Sequence, residues 1–181
     1  MLKILVLLAD GFEEVEAILP VDFWRRLGME VHTASIDNKD EVKGSHNIVV
    51  KADRKLENTD LEYDAIFLPG GMPGSAKLRD NKLVIELIMR CYNTGKLVSA
   101  ICAAPIALYK AGILKGKKHT AHPSVKEIFI DSVYTGSRVE ISDNIITAKG
   151  PGAAAEFALE VARYLGLEKE AEKLYRDMVF S

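Results

Sequence analysis

Short apolar runs alternate along the chain with stretches of helical period, and most of the runs leave no polar face. Residues 3–8, 30–35, 47–50, 65–68, 97–101 and 144–148 read as strands, with weaker candidates near Thr120 and at 139–141. Between them, residues 15–27 space Val15, Ile18, Leu19, Phe23 and Leu27 along one helical face, 81–93 does likewise, and 153–165 and 169–175 close the chain. Pro20 is expected to kink the first helix, because its ring removes an N–H and crowds the preceding turn. Strands apolar on both sides need cover on both sides, and the right-handed crossovers of a parallel sheet supply it. The pattern predicts an α/β doubly wound sandwich, with a mostly parallel central sheet and helices on both faces. Ligands bind such folds outside the carboxyl ends of the strands, so the loops that follow the runs are where chemistry is expected.

Size and charge narrow the partners. With 181 residues, 48% of them hydrophobic, and no linker-like stretch, the chain reads as one compact domain, 1–181. A net charge of -2 offers no basic footprint for nucleic acid and no polycation for anionic membranes. The run from Ile4 to Ala9 is far short of the roughly 20 residues that span a bilayer, and no export signal is recognisable, so a cytoplasmic setting is expected. The 2 cysteines, Cys91 and Cys102, are too few for a disulfide framework and show no metal-site spacing.

Cys102 stands where an apolar strand gives way at once to a helix, among the small residues Ala100, Ala103 and Ala104, with Pro105 suited to a first helical turn. On such an elbow the thiol faces the helix N-terminus, whose free amides favour thiolate; the alternative is a small buried core cysteine. The turn Pro69-Gly70-Gly71 follows another strand, and its glycines expose backbone N–H groups suited to an oxyanion hole, or simply end the strand. Of the acidic residues entering the first helix, Glu13 and Glu14 read as a solvated face that complements the helix dipole. Glu16 falls one turn in, toward the strand-end crevice, where a carboxyl is expected to be partly protonated and able to donate to a thiolate. No further oxygen ligands accompany the three to suggest a hard cation, and no metal or cofactor is expected. Gly150-Pro-Gly152-Ala-Ala-Ala155 matches a dinucleotide pattern, but no strand with an acidic residue follows it, so it reads as a close-packed strand-to-helix turn. His122, in Ala121-His122-Pro123, is a candidate base or orienter near Cys102, or a pocket histidine without proton transfer; His32, His46 and His119 show no ligand spacing.

Together, Gly11 to Glu16, Pro69-Gly70-Gly71, Ala100-Ile-Cys102-Ala-Ala-Pro, His122-Pro123 and Gly150-Pro-Gly152 through Glu156-Phe-Ala resemble the ThiJ/PfpI superfamily, and within it the DJ-1-like branch. The resemblance covers nearly the whole chain. It implies a flavodoxin-like sandwich and a homodimer. It also implies that Cys102 is the reactive cysteine, Glu16 the protonated glutamate beside it, His122 the nearby histidine, Gly70 and Gly71 the oxyanion donors, and Ala103 a pocket residue. Ala103 stands where the peptidase branch has a histidine, and His122-Pro123-Ser124 lacks the glutamate of the glutamine amidotransferases. The implied activity is a cofactor-independent cysteine enzyme acting on 2-oxoaldehydes such as methylglyoxal, free or as glycated protein. The alternatives are a redox-responsive stress protein or chaperone using the same cysteine, and, less favoured, a peptidase.

Overall fold

The computed structural model describes residues 1–58 and 62–181. The first half of the chain runs β1 (Lys3–Leu8), α1 (Glu14–Arg26), β2 (Glu30–Ser35), β3 (Glu41–Lys43), β4 (Val49–Lys51), β5 (Arg54–Lys55), β6 (Ala65–Leu68), α2 (Gly74–Asp80) and α3 (Lys82–Asn93). The second half runs β7 (Leu97–Ile101), α4 (Pro105–Lys110), β8 (Lys118–His119), β9 (Val133–Tyr134), β10 (Val139–Ser142), β11 (Ile145–Ala148), α5 (Ala154–Tyr164) and α6 (Glu168–Asp177).

A 7-stranded sheet in the order β10-β11-β7-β6-β1-β2-β5 forms the centre. Every neighbouring pair in it is parallel except β10 with β11, which are joined as an antiparallel ladder. Side-chain alternation divides the core into two layers. Ile4, Val6 and Leu8 of β1 pack with Trp24, Phe157 and Ala171 of α1, α5 and α6, while Leu5 and Leu7 pack with Leu78, Ile88 and Leu108 of α2, α3 and α4. The Trp24 indole meets Phe67 edge-on at 5.4 Å and donates its N–H to the Ala158 carbonyl at 2.9 Å, so the largest core side chain leaves no orphan donor. This is the mostly parallel, doubly covered sheet that the apolar runs predict.

Several elements differ from expectation. Residues 47–50 were expected as a strand; β4 begins at Val49 and pairs only with β3, as a hairpin outside the central sheet. Near Thr120 the ladder stops at His119, because the Thr120 amide donates to Thr147 Oγ1 instead of to a strand. Pro20 is buried inside α1, which runs on past it from Glu14 to Arg26. The core-facing side of α1 is Ala17, Pro20, Val21, Phe23 and Trp24, whereas Val15 and Ile18, placed by their spacing on the apolar face, are exposed.

The chain order places β2 on one side of β1 and β6 on the other, so the connections diverge at the carboxyl ends of these strands. Such a divergence opens a crevice in the sheet edge, and the loops after β1, β6 and β7 meet there.

Candidate active site

β7 ends at Ile101, and Cys102 takes φ of 64°, the left-handed region that side chains other than glycine seldom occupy. Its backbone is pinned on both sides: the amide donates to the Ala148 carbonyl at 2.9 Å, and the carbonyl accepts from the His122 amide at 2.8 Å. Ala103 and Ala104 are small and buried, and Pro105 opens α4, so the turn closes without crowding. The half-buried Cys102 thiol lies beside the Glu16 carboxyl, and the nearby Gly71 and Ala103 amides favour its ionised form.

Glu16 projects from α1 beneath the Pro69-Gly70-Gly71 turn and is fully buried. Its Oε2 accepts the Gly70 amide at 2.9 Å, while Oε1 is enclosed and accepts no hydrogen bond among the described residues. A proton is therefore best placed on Oε1, leaving Oε2 as acceptor. Both glycines are required by space. A Cβ on Gly70 would overlap Glu16 Oε2 and the Cβ of Cys102, and one on Gly71, at φ of 91°, would overlap the Glu13 amide and the Gly11 carbonyl.

Burial, with help from the Glu13 charge, pushes the Glu16 carboxyl up to about 7 against the opposing hydrogen bonds from Cys102 and Gly70. Burial and the Glu16 carboxylate push the Cys102 thiol up to about 12, with the Gly71 and Ala103 amides pulling the other way. The two groups form one coupled pair, because neighbouring anions in a buried site repel. Over a wide pH range they hold one proton and one negative charge between them. When the proton is on Glu16, both its repulsion and its demand for the thiol proton vanish, and the carboxylic acid becomes a donor to sulfur.

Of the residues expected at the site, Cys102, Glu16, Gly71 and Ala103 come together. Gly70 adjoins them, but its amide is committed to Glu16, so among the amides singled out it is Gly71 and Ala103 that face the sulfur. His122 is tied to the elbow through its amide, and its exposed ring lies over Gly150. Glu14 departs from the solvated reading. It is buried, and its carboxylate accepts the His46 amide at 2.7 Å, the Ile48 amide at 3.3 Å and the Ser45 hydroxyl at 3.2 Å, with the His46 Nδ1 at 2.9 Å. It anchors the turn between β3 and β4 onto α1. The Glu13 carboxylate leans toward the same Ser45, whereas Glu16 turns to the thiol, so the three acidic side chains do not converge on one point.

A strand–cysteine–helix elbow at the switch point of a flavodoxin-like sheet, with a buried carboxyl beneath the thiol, defines a distinct class of α/β protein. The chain belongs to the DJ-1/PfpI family, whose profile matches residues 2–164. It is 35% identical over 178 residues to protein dj-1beta of Drosophila melanogaster, covering 97% of this chain and 95% of that one. It is 32% identical over 167 residues to a deglycase of Pyrococcus abyssi, covering 91% and 99%. The structure of oxidized DJ-1 from Toxoplasma gondii superposes with a TM-score of 0.95 at 36% identity, covering 99% of this chain and 98% of that one.

Proposed function

We propose that the protein is a cofactor-independent cysteine enzyme that converts 2-oxoaldehydes, with methylglyoxal as the simplest, to 2-hydroxy acids. The observation that carries this reading is the left-handed Cys102 elbow beside a fully buried Glu16 that the Gly70 amide holds in place, a pair whose neighbouring acidic groups share one proton. The kinship with a protein named deglycase supports the carbonyl chemistry and extends the substrates to glycated protein. The thiolate adds to the aldehyde carbon while Glu16 delivers its proton to the new alkoxide, giving a neutral hemithioacetal and a carboxylate. That carboxylate removes the hydrogen from the former aldehyde carbon, and a proton returns to the adjacent carbon. The first carbon is oxidised to a thioester as the second is reduced to an alcohol, so no external oxidant is needed. Water then hydrolyses the thioester and restores Cys102. The Gly71 and Ala103 amides hold the oxygen that gains charge during addition and hydrolysis.

The test is lactate formation from methylglyoxal by wild type, Cys102→Ala and Glu16→Gln, with product as the readout because any thiol scavenges the substrate. Catalytic lactate in the wild type, lost in both variants, is expected. A folded wild type that yields none refutes the reading.

A second reading uses the same sulfur as an oxidation sensor, with a sulfinate held by the two amides and by protonated Glu16. The oxidized state of the Toxoplasma neighbour favours it. Mild peroxide followed by mass spectrometry tests it: oxygen should appear on Cys102 first, and uptake by Cys91 first would remove its basis.

A further inference from the structure

His122 opens the 3-10 turn Pro123–Ile128, and it is its ring that caps the turn. Pro123 has no N–H, so the first amide available to a cap acceptor is that of Ser124, which donates to His122 Nδ1 at 3.2 Å. The Ser124 hydroxyl lies 2.7 Å from the same nitrogen. A backbone N–H can only donate. In the neutral ring Nδ1 is therefore the acceptor, and the ring proton resides on Nε2. The Cδ2 edge of the ring faces Gly150, the Nδ1 edge is held by Ser124, and Nε2 makes no hydrogen bond among the described residues.

From this arrangement we infer that Ser124 is a positioning residue that holds His122 in the Nε2–H form, so that the ring offers a hydrogen bond to a substrate oxygen and does not accept a proton. The inference rests on the aldehyde reading for its consequence, though not for the tautomer itself. A neutral imidazole at this site polarises a carbonyl or steadies an alkoxide while keeping its own proton, and the proton traffic falls to the Cys102–Glu16 pair. The amide of His122 donates to the Cys102 carbonyl at 2.8 Å, so the residue that carries the ring is tied to the Cys102 backbone by one hydrogen bond. Ser124→Ala removes the shorter of the two contacts to Nδ1 and leaves the longer, and Ser124→Thr keeps both.

The experiment is long-range proton–nitrogen correlation NMR on protein labelled with 15N-histidine, at neutral pH, with His122→Gln used to assign the ring. Methylglyoxal turnover is measured beside it. Wild type and Ser124→Thr should show a proton on Nε2 and none on Nδ1. Ser124→Ala should show a mixture of tautomers, and kcat lower by about tenfold with KM nearly unchanged, the scale of one lost hydrogen bond. A proton on Nδ1 in the wild type overturns the inference, as does a Ser124→Ala protein with wild-type tautomer and kcat. A wild type that makes no lactate defeats the aldehyde reading, and the NMR result then decides the role of Ser124 by itself.

Discussion

At the scale of single residues, the site is a matter of where protons and amides are directed. Gly70 packs against both the Glu16 carboxyl and the Cys102 side chain, with no room for a Cβ. Gly70→Ala should therefore lower lactate formation on the order of a hundredfold, the cost of displacing a donor set around a reacting oxygen. Circular dichroism should still show a folded protein, because the clash lies in the loop and outside the sheet; unchanged activity would disprove the geometry. The coupled pair also sets the pH dependence. Below about 7 both groups are protonated, and as pH rises through that value the pair gives up one proton and shares the other between carboxyl and sulfur. Alkylation of Cys102 by iodoacetamide should rise through about pH 7 and level off. In Glu16→Gln only the buried thiol can ionise, and the rise should move to higher pH. Cys91, pushed by burial up to about 11, should stay unlabelled throughout. The cysteine, the glycines and Glu16 are legible in the sequence because chemistry restricts the residue types there. Which amide serves which acceptor is not, since Gly70 and Gly71 read alike until the Glu16 side chain takes one of them.

At the scale of elements, the central strands are legible because burial on both faces leaves continuous apolar runs such as Ile4 to Ala9 and Ala65–Leu68. The β3–β4 hairpin is not, since only Val42 of β3 is buried and the ladder lacks such a run. The helix 15–27 is found by its period, but its face is misread, because Ala17 and Pro20 fill core positions that a search for large apolar residues passes over. The role of Glu14 is hidden for a similar reason: its partners are backbone amides of a distant turn. Burial alone would raise the Glu14 carboxyl, but the His46 ring and the amides of Glu14, His46 and Ile48 outweigh it and bring it down to about 2. The folded carboxyl is thus more acidic than the unfolded one. Its contribution to stability is complete above pH about 4.5 and is lost as pH falls toward about 2. Glu14→Gln should cost about 1–3 kcal/mol at pH 7, because the amides at the hairpin turn lose a charged acceptor. Urea unfolding of both proteins should give curves that converge as the pH is lowered toward 2, and a constant difference would show that the charge plays no part.

At the scale of the whole molecule, the exposed side of α1 adjoins a second apolar patch. Val15 and Ile18 are exposed on α1, and Ile48 and Val49 are exposed on the hairpin that Glu14 ties to the same helix through the Ile48 amide. Scattered surface apolar residues need no explanation, but we propose that these β-branched side chains, on two elements held together by a buried carboxylate, form a contact between two copies of the chain. Under two-fold symmetry each α1 would meet the other, and Glu16, between Val15 and Ile18 on the same helix, would have its position set in part by the partner protomer. Ile18→Asp would bury an unpaired charge in that contact and should weaken self-association by about a hundredfold or more. Sedimentation velocity at micromolar concentration should show a dimer for the wild type and a monomer for the variant. A monomeric wild type would exclude the interface. A variant that is monomeric and keeps full lactate formation would show that Glu16 is positioned by its own chain alone, through the Gly70 amide and the core packing of Ala17 and Pro20 in the turn that follows it.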